Sequence, residues 1–115
     1  MKELFTDILK INDIDGVLIL SFEGKSIYSE FTSTKYQSII NENWVNFVNA
    51  LEKIREAEVV FQDRRIYIKR AGVGFLIIVM GKTAPLAMVR LNCDILLPEL
   101  EQSKKKSWFG KIFKR

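Results

Sequence analysis

Gly81-Lys82-Thr83 has the ending of a phosphate-binding loop. In such loops a glycine-rich turn wraps backbone amides around a phosphate, and the lysine and hydroxyl complete the cradle. The full pattern needs a glycine five positions before Gly81, where this chain has Leu76. Without that glycine the loop cannot close on a phosphate, so the tripeptide reads as a strand-to-helix connector.

Asp13-Ile14-Asp15-Gly16 superficially resembles the nucleophile loop of haloacid dehalogenase-like phosphatases. There the first aspartate follows a buried strand, whereas here a helical segment precedes it and a strand follows. Asn12 to Gly16 reads instead as a turn. The chain has no histidine, which removes the commonest general base and metal ligand. Cys93 lies on an apolar helix stripe with nothing to activate it and reads as a small buried hydrophobe. A zinc site needs more soft ligands than one cysteine, and no acid has an apolar setting that would tune it for proton transfer. The expectation is no catalytic residue, no metal and no cofactor: a protein that acts by binding.

Two groups of residues suit binding. The first is Trp44 with Val45, on a helix stripe that continues through Phe47, Val48, Leu51 and Ile54. Val45 makes the stripe wider than one sheet face requires. Core packing and a dimer interface are both open for Trp44, since large aromatics are favoured at interface centres. The second is the C-terminal tail, where Trp108, Phe109, Ile112 and Phe113 are interleaved with Lys104, Lys105, Lys106, Lys111, Lys114 and Arg115. A helix would gather the four apolar side chains on one side. That pattern suits an anionic membrane surface or an acidic groove.

The tail also explains the charge. The net charge is +4, yet residues 104–115 carry six basic residues and no acid, leaving the body mildly acidic. The basic balance is therefore no sign of nucleic-acid binding.

The elements that must position these groups follow from periodicity. Leu4, Phe5, Ile8, Leu9 and Ile11 predict a short helix over 3–11. Val17 to Leu20 is an apolar run suited to a central strand covered on both faces, and Phe22-Glu23-Gly24-Lys25 turns it into a strand over 26–31. After a loop at 32–35, residues 36–40 read as loop or a further helical turn. A helix follows from Asn41 or Asn43, as N-cap, to about Arg55. Strands are expected at 58–62, 65–69 and 75–80. The last helix begins near Pro85 and carries Leu86, Val89, Cys93, Leu96 and Leu100 as its stripe, with Pro98 expected to kink or end it.

With 115 residues, 48% apolar and 28% charged, the chain suits one globular domain. No apolar run approaches a membrane-spanning length. The N-terminus carries acids among its apolar residues, unlike a secretory signal, and a single cysteine forms no internal disulfide. The expected location is cytoplasmic, with peripheral membrane contact through the tail as an added prospect.

The order α-β-β-α-β-β-β-α resembles the Roadblock/LC7 domain family. The resemblance rests on the first hairpin (Gly16 to Lys25), the helix from Trp44 to Ile54, three short strands ending in Phe75 to Met80, and the last helix with Leu86, Val89, Arg90, Leu91 and Leu96-Leu97-Pro98-Glu99-Leu100. It covers residues 1–101 and leaves 102–115 as a separate basic tail. The resemblance implies an α/β (α+β) fold, a five-stranded antiparallel sheet with helices on its faces. It further implies a homodimer, or a heterodimer with a paralogue, formed by joining third strands with the second helices alongside. On this chain those residues are Trp44, Val45, Val48, Leu51, Val59 and Phe61. Proteins of this family commonly regulate or scaffold small Ras-like GTPases. The alternatives are a membrane-recruited signalling scaffold using the tail, or a PAS- or profilin-like small-ligand sensor, which a clear internal cavity would favour.

Overall fold

The structure, a computed structural model, describes residues 2–32 and 44–104. A 3-10 turn over Lys2–Phe5 leads into α1 (Thr6–Leu9). β1 (Ile14–Leu20) and β2 (Ser26–Phe31) form a hairpin. α2 (Val45–Ala50) precedes β3 (Glu56–Val60), β4 (Arg65–Ala71) and β5 (Gly74–Met80), and α3 (Leu86–Lys104) follows. The five strands make one antiparallel sheet in the order β2-β1-β5-β4-β3.

The unbroken apolar runs of β1 and β5 occupy the middle of this sheet, where both faces are covered. Alternation along a strand sends successive side chains to opposite faces. Val17, Ile19, Leu76, Ile78 and Met80 therefore meet α1 and α3, against Phe5, Ile8, Val89, Cys93 and Leu96. Leu18, Leu20, Phe75, Ile77 and Val79 form the second core, beneath Val48 of α2 and Leu51, which caps its C-terminal end. A β4 strand of mixed character fits its place one position from the edge: Ile66 and Ile68 join the second core, and Tyr67 joins the first.

Several element boundaries differ from those expected. The turn read over Asn12 to Gly16 ends at Asp13, because Ile14 to Gly16 are already in β1, where Gly16 pairs with Phe31 and Val79. The helix expected over 3–11 is a 3-10 turn followed by α1, which stops at Leu9. Three further differences have a physical reason in distant contacts or burial. α2 stops at Ala50 rather than near Arg55, because Arg70 of β4 collects the carbonyls that a longer helix would use. Its Nε donates to the Ile54 carbonyl at 3.2 Å, and one terminal nitrogen, Nη2, reaches the carbonyls of both Leu51 and Glu52. The guanidinium also lies 5.0 Å from the Phe75 ring centre and 5.2 Å from that of Phe22. A cation at the end of a helix is favoured by the exposed carbonyls there. β3 correspondingly begins at Glu56, which leaves Phe61 in the turn after it. α3, conversely, runs past Pro98 to Lys104. Pro98 is exposed, so the Asp94 carbonyl that loses its donor is on the solvent side, while buried Leu100 keeps the last turns on the sheet. The expectations for residues 33–43, including the caps at Asn41 and Asn43, lie outside the described residues.

The two weak motifs of the sequence meet in space. Asp13 has φ 69°, a left-handed conformation that aspartate tolerates better than most residues. Its backbone carbonyl accepts from Gly81 N–H at 2.8 Å, and its Oδ2 accepts from the Thr83 N–H at 2.9 Å and hydroxyl at 2.7 Å. A phosphate at Thr83 would have to displace this carboxylate. The Thr83 hydroxyl and N–H hold the Asp13 carboxyl below its ordinary value of 3.8. The stabilisation is therefore present above pH 3.8 and lost as the pH falls through the lowered value. Asp13→Ala should lower the melting temperature by a few degrees at neutral pH, and the difference from the parent should shrink below pH 3.8 in thermal melts. Asp13→Asn, which keeps the backbone tolerance and an acceptor, should fall between.

Candidate functional site

β3 is an edge strand, bonded to β4 on one side and to no other strand among the described residues. The phase of its hydrogen bonds follows from two flanking contacts. Phe61 N–H donates to Arg64 C=O at 2.8 Å, and Arg70 N–H donates to Arg55 C=O at 2.8 Å. In an antiparallel pair, bonded and non-bonded positions alternate. Residues 57 and 59 thus bond to β4, and the N–H and C=O groups of Glu56, Glu58 and Val60 point outward from the sheet. Such an edge is a template for another strand.

The two sides of the edge differ in chemistry. On the α3 side, Glu56 accepts from the Tyr67 hydroxyl at 2.5 Å and from Arg90 Nε at 2.8 Å. Glu58 accepts from Arg65 at 3.0 Å. Arg65 also donates to the Gly81 carbonyl at 3.1 and 3.2 Å and reaches that of Ala84, tying β4 to the start of α3. The Tyr67 bond, then Arg90, holds the Glu56 carboxyl below its ordinary range. Burial and Glu56 push the Tyr67 hydroxyl up. The acids of the edge are thus matched by cations of the same chain, and the strand does not repel an approaching copy of itself as a bare acidic strand would.

On the α2 side the edge is apolar. Ala57 and Val59 pack on the second core, and Phe61 is the next residue on that side by alternation. Phe61 is 48% exposed, Val45 44% and Ile54 37%, while Val60 at the end of the strand is 66% exposed. Of the six residues that the resemblance assigned to a dimer interface, Val45 and Phe61 are on the surface. Trp44 and Val59 are half-buried, with Trp44 packed edge-on against Phe47 at 5.1 Å. Val48 and Leu51 are buried in the core under α2, so they support the surface rather than form it. Ile54, read from the sequence only as part of the helix stripe, and Val60 and Arg70 were not assigned to this surface. Arg70 in particular has no local signature, since it acts through carbonyls 16 to 19 residues away.

Two surface recesses flank this region. One, of about 240 Å³, is lined by Phe22, Val48, Asn49, Glu52, Arg70 and Phe75. The other, of about 230 Å³, lies between the β3 acids and Arg90. Both are below the roughly 300–1,000 Å³ of small-molecule sites, and Arg70 and Arg90 already spend donors on the protein itself. Cys93 is fully buried on α3, and burial pushes its thiol up to about 12. Among the described residues no cluster of three potential metal ligands occurs, and no helix is long and apolar enough to cross a membrane. The tail residues Lys105, Lys106, Trp108, Phe109, Lys111, Ile112, Phe113, Lys114 and Arg115 lie outside the described residues, and Lys104 closes α3.

The architecture matches solved structures over nearly its whole length. A Roadblock/LC7 domain from Streptomyces avermitilis superposes with a TM-score of 0.65, covering 92% of this chain and 95% of that one at 14% identity. The fold is that of the Roadblock/LC7 domain. Myxococcus xanthus MglB matches with a TM-score of 0.68 over 90% of this chain and 83% of that one, at 14% identity. A structure described as MglB with tetrameric arrangement gives 0.70 over 88% and 85%, at 13% identity. No protein-family model matches the sequence, and neither does any curated protein. The likeness is thus carried by the Roadblock/LC7 topology and not by shared residues.

Proposed function

We propose that this Roadblock/LC7-fold chain is a non-enzymatic adaptor that dimerises through β3 and regulates a small Ras-like GTPase. The observation that carries the reading is the β3 edge, with outward backbone groups at Glu56, Glu58 and Val60 beside exposed Val45, Ile54 and Phe61. Strand addition would satisfy the backbone groups, and the apolar side chains would be covered by their counterparts across a two-fold axis. The matching MglB structure is itself described as an assembly, a tetramer. The GTPase part of the reading rests on what the fold resemblance implies.

Sedimentation across a dilution series should show a reversible dimer, and affinity capture from the native host should retain a small GTPase whose binding depends on its nucleotide. A strict monomer at high micromolar concentration would remove the dimer. Capture of the same GTPase equally in its two nucleotide states would remove the regulatory role.

A further inference from the structure

The outer face of α3 carries a second apolar surface, separate from the β3 edge. Its inner stripe, Val89, Cys93, Leu96 and Leu100, is buried on the sheet. On the opposite side Met88 is 50% exposed, Leu91 59% and Ile95 61%. With exposed Pro98 they recur at intervals of three and four residues, the narrow seam by which one helix packs along another. A helix needs only one such stripe to sit on its sheet, so the second asks for an occupant.

The flanks of the seam select among occupants. Asp94 borders it with a side chain 58% exposed, even while pairing with Lys69 at 3.3 Å, and exposed Glu99 lies beside Pro98. A second α3 laid along this one would bring acids against acids. A basic, apolar segment would find both a greasy seam and opposite charge. This chain carries such a segment directly after α3: residues 105–115 contain Trp108, Phe109, Ile112 and Phe113 among five basic residues and no acid.

We propose that the C-terminal tail, residues 105–115, docks on the Met88–Leu91–Ile95 seam of α3 in its own subunit. Reach permits it. From the end of α3 back to Leu91 is about 20 Å of helix, and eleven residues extend to about 36 Å. Tethering supplies an effective concentration on the order of millimolar for a short connection, so a contact that would be weak between separate molecules is populated within one. The same apolar residues that would enter a membrane are held on the protein, and a membrane or partner must compete for them.

The test uses the full chain with Trp44→Phe, which leaves Trp108 as the sole tryptophan. Its emission should be blue-shifted and only weakly quenched by acrylamide. Adding Leu91→Asp and Ile95→Asp should shift it to the red and raise the quenching constant at least twofold, with the denaturation midpoint unchanged as the check on folding. If that variant does not fold, Asp94→Lys with Glu99→Lys should produce the same red shift by reversing the flanking charge. Emission typical of exposed tryptophan in the starting chain, or no response to either pair, would overturn the proposal. So would a blue shift that grows with protein concentration, which would place the tail on another copy. With phosphatidylserine vesicles in flotation, freeing the tail should increase binding severalfold; equal binding by both forms would show that the seam does not hold it.

Discussion

Gly74→Ala should be among the most damaging single substitutions in the chain, costing on the order of 3–5 kcal/mol. Gly74 opens β5 with φ at 149°, a conformation that a side chain strongly disfavours. Space is also lacking: a Cβ there would lie 1.9 Å from the carbonyl oxygen of Leu20 and 2.9 Å from its carbonyl carbon. Those are backbone atoms of β1, paired with β5 through Leu20 and Phe75. Relief requires the two central strands to part, and the clash cannot be absorbed by one rotamer. Against a typical domain stability of about 5–15 kcal/mol, the loss should lower the melting temperature by roughly 10–25 °C or leave the chain unfolded at 37 °C. Gly72→Ala is the control. There the new Cβ meets only the carboxylate end of Glu101, 2.2 Å away, a flexible group that can withdraw at the expense of its bond to the Gly72 N–H. Its cost should be about 1 kcal/mol. Equal effects of the two substitutions in denaturant melts would show that the β1–β5 pair yields more easily than its contacts indicate.

The same contrast between local and distant causes explains what the sequence disclosed. β1, β5 and the inner stripe of α3 were legible because burial on both faces or on one helix side imposes a pattern on neighbouring residues. Gly24 was legible too, since a tight hairpin demands its positive φ of 89°. The end of α2 was not, because Arg70 ends it from another strand. Asp13 and Thr83 each looked like half of a chemical motif, and only their meeting across 70 positions showed what they do. For the residues proposed to form a dimer edge, the sequence disclosed apolar character but not exposure. A helix stripe names Val48 and Leu51 as readily as Val45, and it takes the sheet beneath to show which lie inside. The seam of Met88, Leu91 and Ile95 went unread because it overlaps the inner stripe in sequence, and a helix with two apolar sides blurs its own periodicity.

Val60→Pro with Phe61→Asp should abolish self-association while leaving the monomer folded. Position 60 falls in the half of β3 whose N–H points away from β4, so proline removes an outward donor and none of the hydrogen bonds to β4. Proline is tolerated on edge strands for this reason. In a two-fold interface each loss occurs twice. Two hydrogen bonds at about 0.5–1.5 kcal/mol each come to about 1–3 kcal/mol. Phe61 is already 48% exposed in the single chain, so aspartate there is well solvated in the monomer yet would be desolvated against its counterpart in the dimer. Together the two changes should raise the dimer dissociation constant by about 100-fold or more, read by sedimentation equilibrium over a dilution series. Thermal melts at concentrations where the parent is also dissociated should differ little, which separates loss of the interface from loss of the fold. Because the seam on α3 lies across the sheet from α2, its Leu91→Asp and Ile95→Asp substitutions should leave the dimer constant as it is. A doubly substituted edge that still sediments as the parent would move the interface off β3, and with it the surface on which a GTPase would be met.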